Sequence, residues 1–166
     1  MILVCLSSSA FPFKRLVSCI DTLSKHFDDE IMLQEGRSHD KPVSSKVKRV
    51  GFIPIDEFDG LCKEARLVIS QAGVGVLISC LSVGTPLIMV PRSAKYEETG
   101  TNHQFEMHEI VKRLGVEKQV VVVQDEDQLI QASKQHYGVK FSPLPVSSLP
   151  EAILSYIGSR SQEMGS

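Results

Sequence analysis

The sequence predicts an α/β chain of Rossmann-like type, a doubly wound parallel sheet flanked by helices. Short apolar runs alternate with helix-period segments along the 166 residues. Residues 65–104 pack strand, glycine turn, helix, strand, polar loop and helix into one stretch. Gln119–Val123 is a continuous run rich in valine, typical of a strand buried on both faces. Right-handed crossovers then gather every strand-to-helix loop at the carboxyl edge of the sheet, where functional residues are expected.

The elements follow in order. Ile2-Leu3-Val4-Cys5-Leu6 reads as the first core strand, since it is too short and lacks the basic flank of a signal peptide. Phe13, Leu16, Val17, Ile20, Leu23 and Phe27 fall on one helical face. A short strand, Glu30–Gln34, precedes a polar loop over Gly36–Lys46, and Val47–Ile53 is the next strand. Asp56 is expected to cap a helix carrying Phe58, Leu61 and Cys62. Arg66–Ser70 is a buried strand running into Gln71-Ala72-Gly73-Val74-Gly75. The helix that opens there directs Val74, Leu77, Ile78 and Leu81 inward and stops at Gly84. Pro86–Val90 is a strand, Pro91–Thr101 a loop, and a helix opens on Asn102-His103-Gln104. Met107, Ile110, Val111 and Leu114 form its inner face and Gly115 ends it. Asp125 with Gln128 is a capping box for another helix. Pro143 and Pro145 keep Phe141–Val146 irregular, and a last helix is expected near Ser148, with Glu151 in its cap. The whole of 1–166 reads as a single domain, with 140–166 a Pro-rich tail plus helix.

Bulk composition narrows the function. Apolar residues at 42% and charged residues at 23% are ordinary for a globular core. A net charge of −2 argues against a basic phosphate-tracking surface, so no nucleic-acid partner is expected. No apolar run reaches the roughly 20 residues that span a bilayer. Cys5, Cys19, Cys62 and Cys80 share no metal or redox spacing and sit among apolar neighbours, so they read as buried, reduced thiols of a cytosolic chain.

The Gly73-Val74-Gly75 turn is the strongest chemical signal. A strand, a glycine turn and a helix start bring free N–H groups and the positive helix end together, which suits phosphate. The third glycine of the dinucleotide fingerprint is missing, as is the acidic residue about 20 positions on, which disfavours NAD. No Walker lysine is present. His103 and His108 are five apart and do not share a ligand face, so no metal and no cofactor is expected. His103, with Asn102 and Gln104, is better placed to bond a ligand hydroxyl. Arg92 and Lys95 are candidates to neutralise a pyrophosphate, whereas Glu97 and Glu98 read as solvated loop charges. Ser7-Ser8-Ser9 after the first strand offers hydroxyls to phosphate, or is a plain polar turn.

These residues carry a family resemblance. Leu67-Val68-Ile69-Ser70-Gln71-Ala72-Gly73-Val74-Gly75, then Gly84-Thr85-Pro86-Leu87-Ile88, then Asn102-His103-Gln104 resemble the C-terminal half of family 28 glycosyltransferases. Among these they resemble most the small catalytic, donor-binding subunits of two-part UDP-N-acetylglucosamine transferases of the dolichol pathway. Phe13–Cys19 looks like the family's first helix, and Pro143–Ser147 like the Pro-rich tail of its fungal members. The resemblance implies that 1–166 is a single UDP-sugar-binding Rossmann-like domain, one half of a two-domain GT-B enzyme that moves N-acetylglucosamine from UDP to a lipid-linked acceptor, inverting without a metal. It also implies a membrane-anchored partner subunit that binds the acceptor, supplies the general base and recruits this chain to the cytosolic face of the endoplasmic reticulum. The tail is then a partner-docking element. The donor site would comprise Ser8, Ser9, Gln71, Gly73, Val74, Gly75, Ser79, Arg92, Asn102, His103 and Gln104.

The sequence departs from the family at three of those places. The family's Ser-His-Ala-Gly is Ser70-Gln71-Ala72-Gly73, the acidic residue expected to hold the ribose is Ser79, and the glycine turn after the first strand is Ser7-Ser8-Ser9. Serine for a carboxylate loses a charge-assisted bond, about 1–2 kcal/mol. The loop Arg92–Thr101 is longer than in the dolichol-pathway subunits and resembles bacterial exopolysaccharide paired transferases. That alternative stays open, as do a non-catalytic binding subunit of the same fold and an unrelated flavodoxin-like fold binding another nucleotide.

Overall fold

The computed structural model describes residues 1–6, 11–36, 44–98, 106–145, 147, 151 and 153. Six strands form one sheet: β1 (Ile2–Cys5), β2 (Ile31–Gln34), β3 (Val47–Val50), β4 (Leu67–Gln71), β5 (Leu87–Val90) and β6 (Val120–Val122). Their order is β3-β2-β1-β4-β5-β6 and every pairing is parallel. The helices are α1 (Lys14–Leu23), α2 (Ile55–Glu64), α3 (Val74–Val83), α4 (Met107–Leu114) and α5 (Glu126–His136). This is the Rossmann-like α/β architecture the sequence predicts.

Side chains alternate across each strand, and both faces are covered. Ile2 and Val4 of β1 join Ile31, Leu33, Leu67, Ile69 and Ile88 in a core closed by Leu16, Ile20 and Leu23 of α1 and Leu129 of α5. Leu3 and Cys5 face the other way, with Val68, Leu87 and Met89, against Leu77 and Leu81 of α3 and Ile110 and Val111 of α4. The order reverses between β1 and β4, so their connections leave toward opposite faces and a crevice opens beyond their carboxyl ends.

Several boundaries differ from expectation, each for a physical reason. The strand expected over Val47–Ile53 is only Val47–Val50, because the chain turns into Pro54, whose φ of −56° and ψ of 145° make it the N-cap of α2. Asp56 therefore lies inside the first turn with Glu57 instead of capping it; both carboxylates favour the positive helix end. The valine-rich run shrinks to Val120–Val122 at the sheet edge, where Val121 and Val122 are only half-buried. Gln119 stays outside the strand and gives its amide to the Cys80 and Thr85 carbonyls at 3.0 and 3.1 Å. Asp125 caps α5 through the Gln128 N–H at 2.8 Å, but the Gln128 side chain reaches the Gln124 N–H, not that of Asp125. The described part of α4 begins at Met107 with Glu106 as N-cap. The expected start at Asn102 lies outside the described residues, as does Ser148.

The tail is irregular, as its prolines require, but it is fastened to this chain's own core. Lys140 Nζ donates to the Lys63 and Ala65 carbonyls and to Thr85 Oγ1 at 3.0–3.1 Å. The Phe141 N–H bonds the Gly84 carbonyl and the Leu144 N–H bonds the Leu81 carbonyl. Leu144 packs on the core, and Ile153, helical in backbone, is buried in it. This anchorage lies at the amino edge of the sheet, opposite the crevice. All four cysteines are free and buried, as the sequence reading expects. Among the described residues no helix is long and apolar enough to cross a membrane.

An ionic cluster joins the amino edge to the end of α5. Asp29 meets the Met1 amino group at 3.1 Å and Arg66 at 3.8 Å, and Arg66 donates to the Tyr137 hydroxyl at 3.3 Å. The hydrogen bond from Tyr137, followed by that from the amino group, holds the Asp29 carboxyl below its ordinary value. A lowered folded value means stability that is complete above the unfolded carboxyl value of about 3.9 and lost as pH falls through the folded one. Asp29→Asn should therefore lower the melting temperature at pH 7, and the gap to the parent should close on acidification below about pH 4. A gap independent of pH would show that the carboxylate's charge is not what matters there; a thermal scan series settles it.

Candidate functional site

The crevice at the β1/β4 switch point is a cleft of about 220 Å³. Ile55 and Phe58 of α2 and Val76 of α3 make its apolar wall, while Ser70, Gln71 and Ser79 make the polar part. The Ser70 hydroxyl is buried and donates to the Cys5 carbonyl at 3.4 Å. Cys5 also lines the cleft, but burial raises its thiol far above the ordinary value, and Cys19 is pushed up to about 12 for the same reason. Such thiols stay protonated and are poor nucleophiles.

The N-terminus of α3 forms one end of the cleft. β4 ends at Gln71, and a tight turn with a 2.7 Å bond from the Gly73 N–H to the Gln71 carbonyl brings Gly73 to the N-cap. Neither a capping side chain nor an acidic residue occupies the first turn. The N–H groups of Val74, Gly75 and Val76 have no intrahelical partner, as at any helix start, and their positive end faces the cleft. A Cβ built on Gly75 would meet nothing within 4 Å, so the approach to these amides is open. Ser79 stands further along the same helix and lines the cleft.

Arg92 has a different place from the one expected. It is only 1% exposed, and its guanidinium is held by protein oxygens instead of facing the cleft. Nη1 donates to the carbonyls of Phe11, Pro12 and Glu98 at 3.0 Å, Nη2 to that of Leu6 at 2.9 Å, and Nε to Gln71 Oε1. The guanidinium also lies 4.4 Å from the centroid of the Phe13 ring. Glu98, read from sequence as solvated, is buried: it accepts from Arg15 at 2.9 and 3.1 Å and from the Ser93 N–H at 3.0 Å. Glu97 stays at the surface in a left-handed turn, φ 57°, that ends the 3-10 turn Ala94–Tyr96. Lys95 does not reach the cleft. It lines a separate pocket of about 230 Å³ with Arg15, Ser93, Tyr96 and Gln124.

The structure thus brings Gln71, Gly73, Gly75 and Ser79 together around one cleft, with the Val74 amide at its helix start. Ser8, Ser9, Asn102, His103 and Gln104 lie outside the described residues. Their described neighbours Leu6, Phe11 and Glu98 meet at Arg92. Among the described residues no three His, Cys, Asp or Glu cluster as metal ligands. Sequence reading missed Arg15, Glu98 and the cradle around Arg92. Contacts spanning 76–86 residues leave no local signal, and the one hint in the sequence is an arginine two residues after a fully apolar strand.

Comparison with known proteins bears on this geometry. The sequence model of the glycosyltransferase family 28 C-terminal domain matches residues 1–138. The chain is 28% identical over 159 residues to the UDP-N-acetylglucosamine transferase subunit ALG13 of Yarrowia lipolytica, covering 87% of this chain and 77% of that protein. Among solved structures it is similar to ALG13 in solution, with a TM-score of 0.57 and 21% identity over 90% of this chain and 91% of that one. It is also similar to the UDP-GlcNAc 2-epimerase of Methanocaldococcus jannaschii, with a TM-score of 0.60 and 17% identity over 93% of this chain and 45% of that one. Acinetobacter baumannii MurG gives a TM-score of 0.54 and 17% identity over 80% of this chain and 40% of that one. The chain therefore spans less than half of these last two proteins, and at such identities the structural likeness concerns the fold.

Proposed function

Since the chain belongs to the glycosyltransferase family 28 C-terminal domains, we propose that it is the donor-binding half of a two-part glycosyltransferase. It holds UDP-N-acetylglucosamine while a membrane-anchored subunit presents a lipid-linked sugar acceptor, as in the early assembly of N-glycans at the cytosolic face of the endoplasmic reticulum. The observation that carries this reading is the uncapped N-terminus of α3 opening on a cleft with one apolar wall and one hydroxyl-bearing side. The diphosphate sits on the Val74–Val76 amides, the ribose bonds Ser79, and the base lies against Ile55 and Phe58. As the sugar–phosphate bond breaks, charge grows on the UDP leaving group, and the fixed amides and helix dipole stabilise it without reorganising. Asn102, His103 and Gln104 contact the sugar, and the base that activates the acceptor hydroxyl comes from the partner.

A second observation supports the two-part arrangement. Among the described residues five large hydrophobics are exposed, and four of them follow strands at the carboxyl edge: Phe11 and Phe52 in connecting segments, Ile55 at the start of α2 beside the cleft, and Tyr96 in the 3-10 turn after β5. Exposed apolar side chains gathered on the edge that carries a ligand site fit a surface that another domain covers.

An NMR titration with UDP-N-acetylglucosamine, UDP-galactose, UDP and ADP tests the reading. Uridine ligands should move the amides of Gln71–Ser79 and ADP should not; equal response to ADP, or shifts confined elsewhere, would overturn it. Ser79→Glu should tighten UDP binding about tenfold by adding a charge-assisted bond to the ribose. Unchanged or weaker binding would remove Ser79 from the ribose contact.

A further inference from the structure

We infer that Arg92 is the positioning residue of the donor site, turning the Gln71 carboxamide so that its Nε2 donates to the bound diphosphate beside the first amides of α3. The inference rests on the site proposed above and deepens it. An arginine Nε can only donate, so the Gln71 atom bonded to it must be the oxygen. The carboxamide's two N–H groups then point away from Arg92. Gln71 Nε2 lies 4.0 Å from the position a Cβ on Gly73 would take, next to the open helix start. A freely rotating glutamine would offer an anion its oxygen as readily as its nitrogen; the bond to Arg92 removes that choice.

The same guanidinium fixes the approaches to the site. Its bonds to the Leu6, Phe11 and Pro12 carbonyls hold both ends of the connection after β1, and its bond to the Glu98 carbonyl holds the loop after β5. Arg15, bridging Glu98 to the Pro91 and Gln124 carbonyls, braces that loop from the other side. One buried side chain thus sets three carboxyl-edge segments in register with the α3 amides. Arg92 is not among the residues lining the cleft and meets it through Gln71, which makes it a positioning residue and not a ligand contact.

The test uses the full chain with two probes, inorganic pyrophosphate and UDP, read by amide and side-chain NMR alongside thermal unfolding. Gln71→Glu keeps the oxygen Arg92 needs and replaces the donor with a second oxygen. It should melt at or above the parent temperature yet bind both probes at least about 30-fold more weakly. Arg92→Lys reaches fewer of the five acceptors; its affinity should fall about tenfold, and the Gln71 side-chain amide signals should lose their response to pyrophosphate. If Gln71→Glu binds pyrophosphate like the parent, or if pyrophosphate leaves the parent's Gln71 side-chain signals unmoved, the inference is overturned. If pyrophosphate moves Gln71 and the α3 amides but UDP binds no more tightly, the inference stands and the uridine reading falls. If UDP binds with Gln71 unmoved, the uridine reading stands and the inference falls. Binding of neither probe to the parent chain would remove both.

Discussion

Gly84→Ala is expected to cost the fold about 4 kcal/mol or more and to lower the melting temperature by on the order of 10 °C. Two effects add. Gly84 ends α3 at φ 72° and ψ 24°, left-handed backbone that a Cβ disfavours. A Cβ there would also stand 2.0 Å from the Phe141 carbonyl oxygen and 3.0 Å from its carbon, so the tail must leave its seat. The Phe141 N–H to Gly84 carbonyl bond and the Leu144 N–H to Leu81 carbonyl bond go with it. Gly115→Ala is the control. It shares the left-handed backbone, φ 65°, but meets nothing within 4 Å, so it should cost only about 1–2 kcal/mol. Urea unfolding of both variants isolates the tail's contribution as their difference. Equal losses would mean that 141–145 is not seated against α3 in solution.

That tail also shows what a sequence can and cannot disclose. Its irregularity was legible, since Pro143 and Pro145 forbid a helix or a central strand. Its place was not, because the contacts that fix it join Phe141 to Gly84 and Lys140 to Lys63, Ala65 and Thr85, all distant in sequence. The partner-docking role inferred for it by resemblance now has to accommodate a segment whose first residues and Leu144 are engaged with this chain's own amino edge.

The sheet was readable for the opposite reason: burial of β1, β4 and β5 on both faces forces continuous apolar runs, and helix periodicity marks what covers them. Edge position left no comparable mark. The valines of β6 would suit a central strand equally well, and only strand order places them at the margin. The same divide runs through the site. Gly73 and Gly75 were legible because a strand, a turn and a helix start are contiguous. Glu98 reads as a solvated charge in the sequence because nothing near it announces Arg15, 83 residues away. Charge alone makes Arg92 a candidate anion ligand, whereas its environment of carbonyl oxygens makes it part of the frame.

Gly75→Asp is the substitution in which fold and function should part most widely. Gly75 lies in the first turn of α3, and a Cβ there has open space. A carboxylate in a first turn gains about 0.3–1 kcal/mol from the helix dipole, and replacing a helical glycine adds a few tenths more. The variant should therefore melt at or slightly above the parent temperature. Donor binding should move the other way. A carboxylate placed about 4 Å from a phosphate charge costs roughly 4 kcal/mol at the effective dielectric of a protein surface, close to a thousandfold in affinity. It also competes intramolecularly for the amides the diphosphate needs. Gly75→Ala supplies the comparison, since it gains the same backbone rigidity without the charge and should bind UDP within a few-fold of the parent. Uridine, which has no phosphate, should show similar affinity for all three proteins. A Gly75→Asp variant that is stable, binds uridine and has lost UDP locates the diphosphate at the α3 amides. If the same variant bound UDP normally, the anion would have to sit elsewhere, whatever the helix start suggests.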